Sequence, residues 1–89
     1  MRKHLNIKVF GRVQGIFFRA TAKEQADKLN LLGFARNEKD GSVYIEAEGE
    51  EEKLDKFVKW CYIGPSMAGV EKVEIIEDKL KNFLQFEVN

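Results

Sequence analysis

Phe34-Ala-Arg-Asn-Glu38, Lys39-Asp40-Gly41-Ser42 and Val43-Tyr-Ile-Glu-Ala-Glu48 read as two strands joined by a tight turn. An Asp-Gly pair supplies the backbone angles that let such a turn follow the natural twist of a two-stranded ribbon. Val43, Ile45 and Ala47 alternate with Tyr44, Glu46 and Glu48, so one face of the second strand is apolar and the other polar. A lone hairpin is marginal in water, and its apolar face has to be covered.

Helical patterns lie on both sides of the hairpin. Upstream, Ala22, Ala26, Leu29 and Leu32 or Gly33 recur at helical spacing, predicting a helix over roughly 20–32 with Gly33 near its stop. Thr21 and Glu24 match a capping box, or else Thr21 lies inside the first turn. Downstream, Leu54, Phe57, Val58 and Cys61 recur along one face of a second helix. Glu50, Glu51 and Glu52 precede that face, and carboxylates suit a helix N-terminus. Gly64-Pro65 ends the helix, with Trp60 and Tyr62 beside the stop as packing or as a surface patch.

Further out, Leu5, Ile7 and Val9 alternate with Asn6, Lys8 and Phe10 in a first strand that Gly11 ends. Val73 and Ile75 fall in a fourth strand over roughly 70–78, and Leu84, Phe86 and Val88 in a short closing strand. The order is strand, helix, strand, strand, helix, strand, with one extra terminal strand. Helices with one apolar face and alternating strands predict two helices on one face of a mainly antiparallel sheet. That is a ferredoxin-like α/β sandwich of the α+β type, with residues 1–89 as a single domain. Many unrelated activities use this architecture, so the fold alone does not define a function.

Composition narrows the field. Lysine plus arginine number 15, as do aspartate plus glutamate, which lacks the basic excess of a non-specific nucleic-acid binder. Cys61 is the only cysteine, so no intrachain disulfide forms and a reducing compartment is expected. The residues Met1-Arg2-Lys3-His4 lead into a polar-interrupted strand, and no apolar run has membrane length. A cytoplasmic monomer, with neither membrane nor nucleic acid as partner, is the expectation.

The chemistry is concentrated in Gly11-Arg-Val-Gln-Gly-Ile-Phe-Phe-Arg19, between the first strand and the first helix. Glycines permit a sharp turn, loop N–H groups converge, and a helix N-terminus favours negative charge. Arg19 adds a planar fork of donors, so a phosphate is the natural guest. Arg12 reads as a solvated loop edge, Phe17 and Phe18 as core plugs behind the loop, and Gln14 as a backbone donor more than a side-chain one. His4 has no cysteine or histidine partner at ligand spacing, so no metal site is expected. Cys61 lies on the apolar helix face as a structural thiol, and the Glu50–Glu52 run as a solvated cap.

These residues resemble the acylphosphatase family. Gly11 to Arg19 is similar to its first signature, and Gly33-Phe-Ala-Arg-Asn37 followed by Asp40-Gly41-Ser42-Val43 to its second. Gly64-Pro65 with Ala68, Val70 and Val73 resembles the family's stretch after the second helix, so the likeness covers nearly the whole chain. Phe34 stands where the family pattern has tryptophan, and Ile16 where it has valine. The ending Asn82-Phe-Leu-Gln-Phe-Glu-Val-Asn89 lacks the basic-aromatic close common among these proteins.

The resemblance implies hydrolysis of small acyl phosphates to carboxylate and inorganic phosphate, without cofactor or metal. It assigns phosphate binding to Val13, Gln14, Gly15, Ile16, Phe17, Phe18 and Arg19, and water positioning to Asn37. Chemistry agrees with those roles. An acyl phosphate carries a good leaving group, so holding the phosphoryl group and placing a water in line are the remaining tasks. Neither signature contains histidine, and the first contains no serine or cysteine either, which favours direct attack by water.

Two rival readings come from other classes. RNA-recognition modules share the order of elements, but they need exposed aromatics and bases where Ser42-Val-Tyr-Ile-Glu-Ala-Glu48 has acids. A non-catalytic domain that senses phosphate or a metabolite would keep the loop without turnover. No stretch visibly builds a large acyl pocket, so broad acyl specificity is expected.

Overall fold

In the computed structural model, which describes residues 1–89, the hairpin forms the middle of a five-stranded sheet. The elements are β1 (Arg2–Arg12), α1 (Phe18–Lys28), β2 (Leu32–Asn37), β3 (Val43–Glu50), α2 (Glu51–Ile63), β4 (Gly69–Asp78) and β5 (Phe86–Val88). Their order across the sheet is β4-β1-β3-β2-β5. β1 pairs antiparallel with β3 and β4, and β2 antiparallel with β3. β5 runs parallel to β2, so the sheet is mixed at that edge.

Register explains which side chains are buried. Leu5, Ile7 and Val9 lie opposite Ala47, Ile45 and Val43, and Ala35 lies opposite Ile45 on the other side. Alternation puts all of these on one face. Phe18, Ala22 and Ala26 of α1 and Leu54, Phe57 and Cys61 of α2 cover them, forming one apolar core. α1 packs over β2 and β5, and α2 over β1 and β4. Trp60 packs between Phe18 and Phe57, whereas Tyr62 is exposed. Burial pushes the Cys61 thiol well above its ordinary range, which leaves it inert as a nucleophile.

Several boundaries differ from the sequence reading. α1 spans Phe18–Lys28 rather than 20–32. It stops at Asn30, which adopts a left-handed φ of 58°, with Leu31 N–H donating to Ala26 O at 2.8 Å and Asn30 N–H to Asp27 O at 3.2 Å. These two bonds satisfy the last carbonyls of the helix, so the chain has already turned before Gly33. Gly33 lies inside β2 instead, where a Cβ would collide with the Glu46 carbonyl of β3. Thr21 does not cap α1. It sits within the first turn, its hydroxyl donating to Phe17 O at 2.8 Å. β1 continues past Gly11 to Arg12 through a register shift against β4, so Gly11 belongs to the strand rather than the loop. Leu84 is 94% exposed and precedes β5 rather than filling it.

The helix-free face is partly closed by the chain itself. β4 and β5 are at opposite edges, and residues 79–85 cross between them as a strap. Lys81 N–H and Phe83 N–H donate to the two oxygens of Glu48 at 2.8 and 2.7 Å. His4 is fully buried under the strap, with Nδ1 at 2.8 Å from Glu48 and Nε2 at 2.9 Å from Glu46. Phe83 stacks on His4 and meets Phe34 edge-on. His4 thus belongs to a closed polar cluster that anchors the route to β5.

Candidate active site

The other end of the sheet is open. β1 ends at Arg12, and residues 13–17 loop into the N-terminus of α1. Gly15 has a φ of 77° and Phe17 a φ of 65°, both left-handed. Glycine takes that conformation freely, but a bulky residue such as phenylalanine is strained there by about 1–3 kcal/mol. None of the main-chain N–H groups of residues 14–17 donates to another protein group among the turn and loop bonds. They are donors without acceptors in the protein.

The start of α1 adds to this. Phe17 stands at its N-cap without a side-chain cap, and no acidic residue occurs in its first turn. The uncompensated end carries about half a positive charge, and Arg19, a cation, is placed in that turn. By local helix rules this is unfavourable. It becomes favourable when an anion sits at the end of the helix.

A hollow of about 250 Å³ opens here, lined by Val13, Gly15, Phe17, Phe18, Arg19, Ala20, Asn37 and Val88. Arg19 is held in position by the residue after β5, its Nη1 donating to the main-chain oxygen of Asn89 at 2.6 Å. Asn89 N–H in turn donates to Ala35 O of β2 at 2.9 Å. Asn37 lies opposite Val43, whose side chain is buried in the core, so alternation turns Asn37 to the helix side. It is the last residue of β2 and remains exposed at the hollow.

Two residues remote in sequence, Arg19 and Asn37, thus line one hollow, together with Val13, Gly15, Phe17 and Phe18. Ile16 and Gln14 do not line it. Ile16 packs against the core. Gln14 turns its side chain outward, Nε2 donating to Glu38 O at 2.8 Å and Ser42 O at 2.9 Å, so it is more than a backbone donor. Phe18 is the core plug that the sequence indicates, at 2% exposure, but Phe17 is 80% exposed at the mouth of the hollow. Arg12 is exposed at the strand end and lies outside the lining. Ala20 and Val88 line the hollow without having been singled out, because small and branched apolar residues carry no chemical signature.

Free loop N–H groups, a helix N-terminus and a guanidinium on a ferredoxin-like α+β sheet are the chemistry that suits a small oxyanion. Comparisons with known proteins narrow this class. The acylphosphatase family profile matches residues 5–88. An acylphosphatase of Archaeoglobus fulgidus is 43% identical over 84 residues, covering 94% of each chain. The solved acylphosphatase of Bacillus subtilis superimposes with a TM-score of 0.95 at 36% identity, covering 100% of this chain and 99% of that one. That of Coxiella burnetii gives a TM-score of 0.96 at 31% identity, covering 99% and 93%. The chain belongs to the acylphosphatase family. It is a hydrolase that splits acyl phosphates into carboxylate and inorganic phosphate.

Proposed function

We propose that the substrate's phosphoryl group sits on the N–H groups of residues 14–17 at the N-terminus of α1, clamped by Arg19, while Asn37 orients the attacking water. The observation that carries this reading is that Gly15 and Phe17, whose N–H groups are unpartnered, line one hollow with Arg19 and Asn37. Only part of the Arg19 donor fork is engaged by Asn89, and the remaining N–H groups are available to phosphoryl oxygens. Asn37 combines an amide donor with a carbonyl acceptor, enough to orient water without acting as a base.

The reaction then needs little else. Water oxygen attacks phosphorus, the bond from phosphorus to the acyl oxygen breaks, and its electron pair leaves with the carboxylate. The proton from water ends on the phosphate. Charge building on the equatorial oxygens is stabilised by donors already aimed at them. The apolar side of the hollow, with Phe17, Ala20 and Val88, takes the acyl portion. The lining contains no carboxylate, imidazole or thiol, which supports a route without a bound metal or a phosphoenzyme. One chain of 89 residues, acting as a single domain and a monomer, supplies every group named here. No helix is long and apolar enough to cross a membrane, and a cytoplasmic location is proposed with it.

Benzoyl phosphate hydrolysed in ¹⁸O-water tests the route. Label should appear in phosphate, turnover should survive exhaustive chelation, and rapid quenching should trap no phosphorylated protein. Label in the carboxylate would place attack at the acyl carbon and end the roles given to Arg19 and Asn37.

A further inference from the structure

Gln14 is a loop residue whose side chain leaves the cradle altogether. Its amide donates to Glu38 O and to Ser42 O, using both of its hydrogens. The orientation is unambiguous, since Oε1 in the same place would face two acceptors. The two carbonyls sit at the closing pair of the β2–β3 hairpin, where Glu38 N–H donates to Ser42 O at 2.9 Å. Glu38 directly follows Asn37 in the chain.

That end of the hairpin is stiff without Gln14. Gly41 N–H donates to Glu38 O at 3.1 Å, and Ser42 N–H to Asp40 Oδ1 at 3.0 Å. The hydroxyl and N–H of Ser42, with Lys8 behind them, hold the Asp40 carboxyl well below its ordinary range. The loop is the opposite case: its N–H groups from 14 to 17 make no turn bonds that would fix it to a neighbour. Immobilising a glutamine side chain costs about 1.5–2 kcal/mol of rotamer freedom, and the hairpin closes without that expense. The gain from these two bonds therefore lies in joining loop to hairpin.

We propose that the Gln14 side chain is a positioning residue, setting the distance between the phosphate cradle and the water held at Asn37. The inference rests on the functional reading above, in which cradle and Asn37 hold the two reacting partners. In-line attack requires the reacting atoms at about 3–3.5 Å, and a misplacement of about 1 Å can cost a hundredfold in rate. The cradle is on one element and Asn37 on another, and Gln14 spans the gap.

A double-mutant cycle tests this. Gln14→Met keeps the length of the side chain and removes both donors. It should lower kcat for benzoyl phosphate by about thirtyfold in the native background. In an Asn37→Ala background, assayed at raised protein concentration, the same change should cost less than about threefold, because the partner it positions is gone. Inhibition by inorganic phosphate should weaken less than kcat falls. Equal losses in both backgrounds, or no loss in the native one, would overturn the proposal. Thermal midpoints separate folding from positioning, since a purely structural effect is the same in either background. If Gln14→Met does not fold, Gln14→Asn, one methylene too short to reach both carbonyls, carries the same cycle. A readout independent of turnover keeps the tether distinct from the catalytic reading. With phosphate bound, the Asn37 side-chain amide resonance should shift in Gln14→Met, and an unmoved resonance refutes the tether even in a chain that hydrolyses nothing.

Discussion

The two ends of the sheet treat polar groups in opposite ways. Under the strap, Glu48 is fully buried and accepts from Lys81 N–H, Phe83 N–H and His4, while Glu46 accepts from Tyr44, Lys81 and His4. No buried side-chain nitrogen or oxygen there or elsewhere lacks a partner. At the cradle, the loop N–H groups are left unpaired and a cation stands at an uncapped helix start. A satisfied network rigidifies, and an unsatisfied one waits for a ligand. On the proposed reading, the same kind of chemistry supports the fold at one end and function at the other. The comparison makes opposite demands on mutants: changes at the cradle should remove activity and spare stability, and changes under the strap should do the reverse.

The largest effect is expected at Arg19. Arg19→Ala removes the planar donor fork, and kcat/KM should fall by about a thousandfold or more, with phosphate inhibition lost alongside. Arg19→Lys restores the charge but not two-point contact and should stay badly impaired. The thermal midpoint should hold or rise, because the substitution takes a cation away from a positive helix end. Near-normal turnover in either variant, measured by phosphate release, would erase the contrast between the two ends.

Glu48→Gln is the converse. An amide in place of a carboxylate turns one acceptor into a donor that faces N–H groups, in a fully buried site. Breaking a buried charged network of this kind costs about 3 kcal/mol, and the chemistry should persist while the chain stays folded. Acid sharpens the test. Burial alone would raise the carboxyls of Glu48 and Glu46, yet hydrogen bonds from the strap, Tyr44, Lys81 and His4 hold both below their ordinary range. Carboxyls lowered in the folded state stabilise it above the ordinary glutamate value, and lose that effect as pH falls through their folded values. The gap in stability between the two proteins should therefore be full at neutral pH and shrink below pH 4.5. A gap that widens in acid, read from denaturant melts, would reverse the sign assigned to this network.

Asn37→Ala should separate two functions within the cradle. On the proposed reading the N–H groups and Arg19 hold the anion, so phosphate inhibition should stay close to native. The water loses its guide, so kcat and kcat/KM should drop together by about a hundredfold. Loss of phosphate affinity equal to that in Arg19→Ala would make Asn37 part of the anion clamp instead.

The two ends also differ in how much the sequence discloses. Arg19, Asn37 and the glycine-bearing loop stand out in the sequence because their chemistry is specific to residue type, and the fold brings Arg19 and Asn37 to one hollow. The hairpin and α2 are legible through period: Val43, Ile45 and Ala47 alternate, and Leu54, Phe57 and Cys61 recur at helical spacing. The strap is not legible, because Glu48 is bound through the main-chain N–H of Lys81 and Phe83, a donor that almost any residue supplies. The side-chain role of Gln14 is hidden for the same reason, since carbonyls are its partners. Asn30 ends α1 where Gly33 is the obvious candidate, because asparagine also tolerates a left-handed backbone. Phe17 is misplaced because its exposure depends on a strained φ that no apolar pattern encodes. β5, three residues long, takes its parallel direction from the strap rather than from its own sequence.

The smallest expected effect tests the helix end directly. α2 begins with Glu51 and Glu52 in its first turn, the usual compensation for a helix dipole, whereas α1 has no acid there. Ala20 is exposed in the first turn of α1 and lines the hollow. Ala20→Glu gives α1 what α2 already has. An acid in that position stabilises a helix by about 0.3–1 kcal/mol, which in a domain of this size raises the midpoint by a few degrees. The same carboxylate would occupy the field meant for phosphate, so phosphate inhibition should weaken by about three- to tenfold. As the mirror change, Glu52→Gln at α2 should lose a few tenths of a kcal/mol of stability without altering the kinetics. The trade at α1, stability gained as affinity is lost, is what a helix end kept bare for an anion requires. If Ala20→Glu leaves phosphate affinity unchanged, the helix N-terminus is not part of the cradle, and the loop N–H groups with Arg19 must account for binding without it.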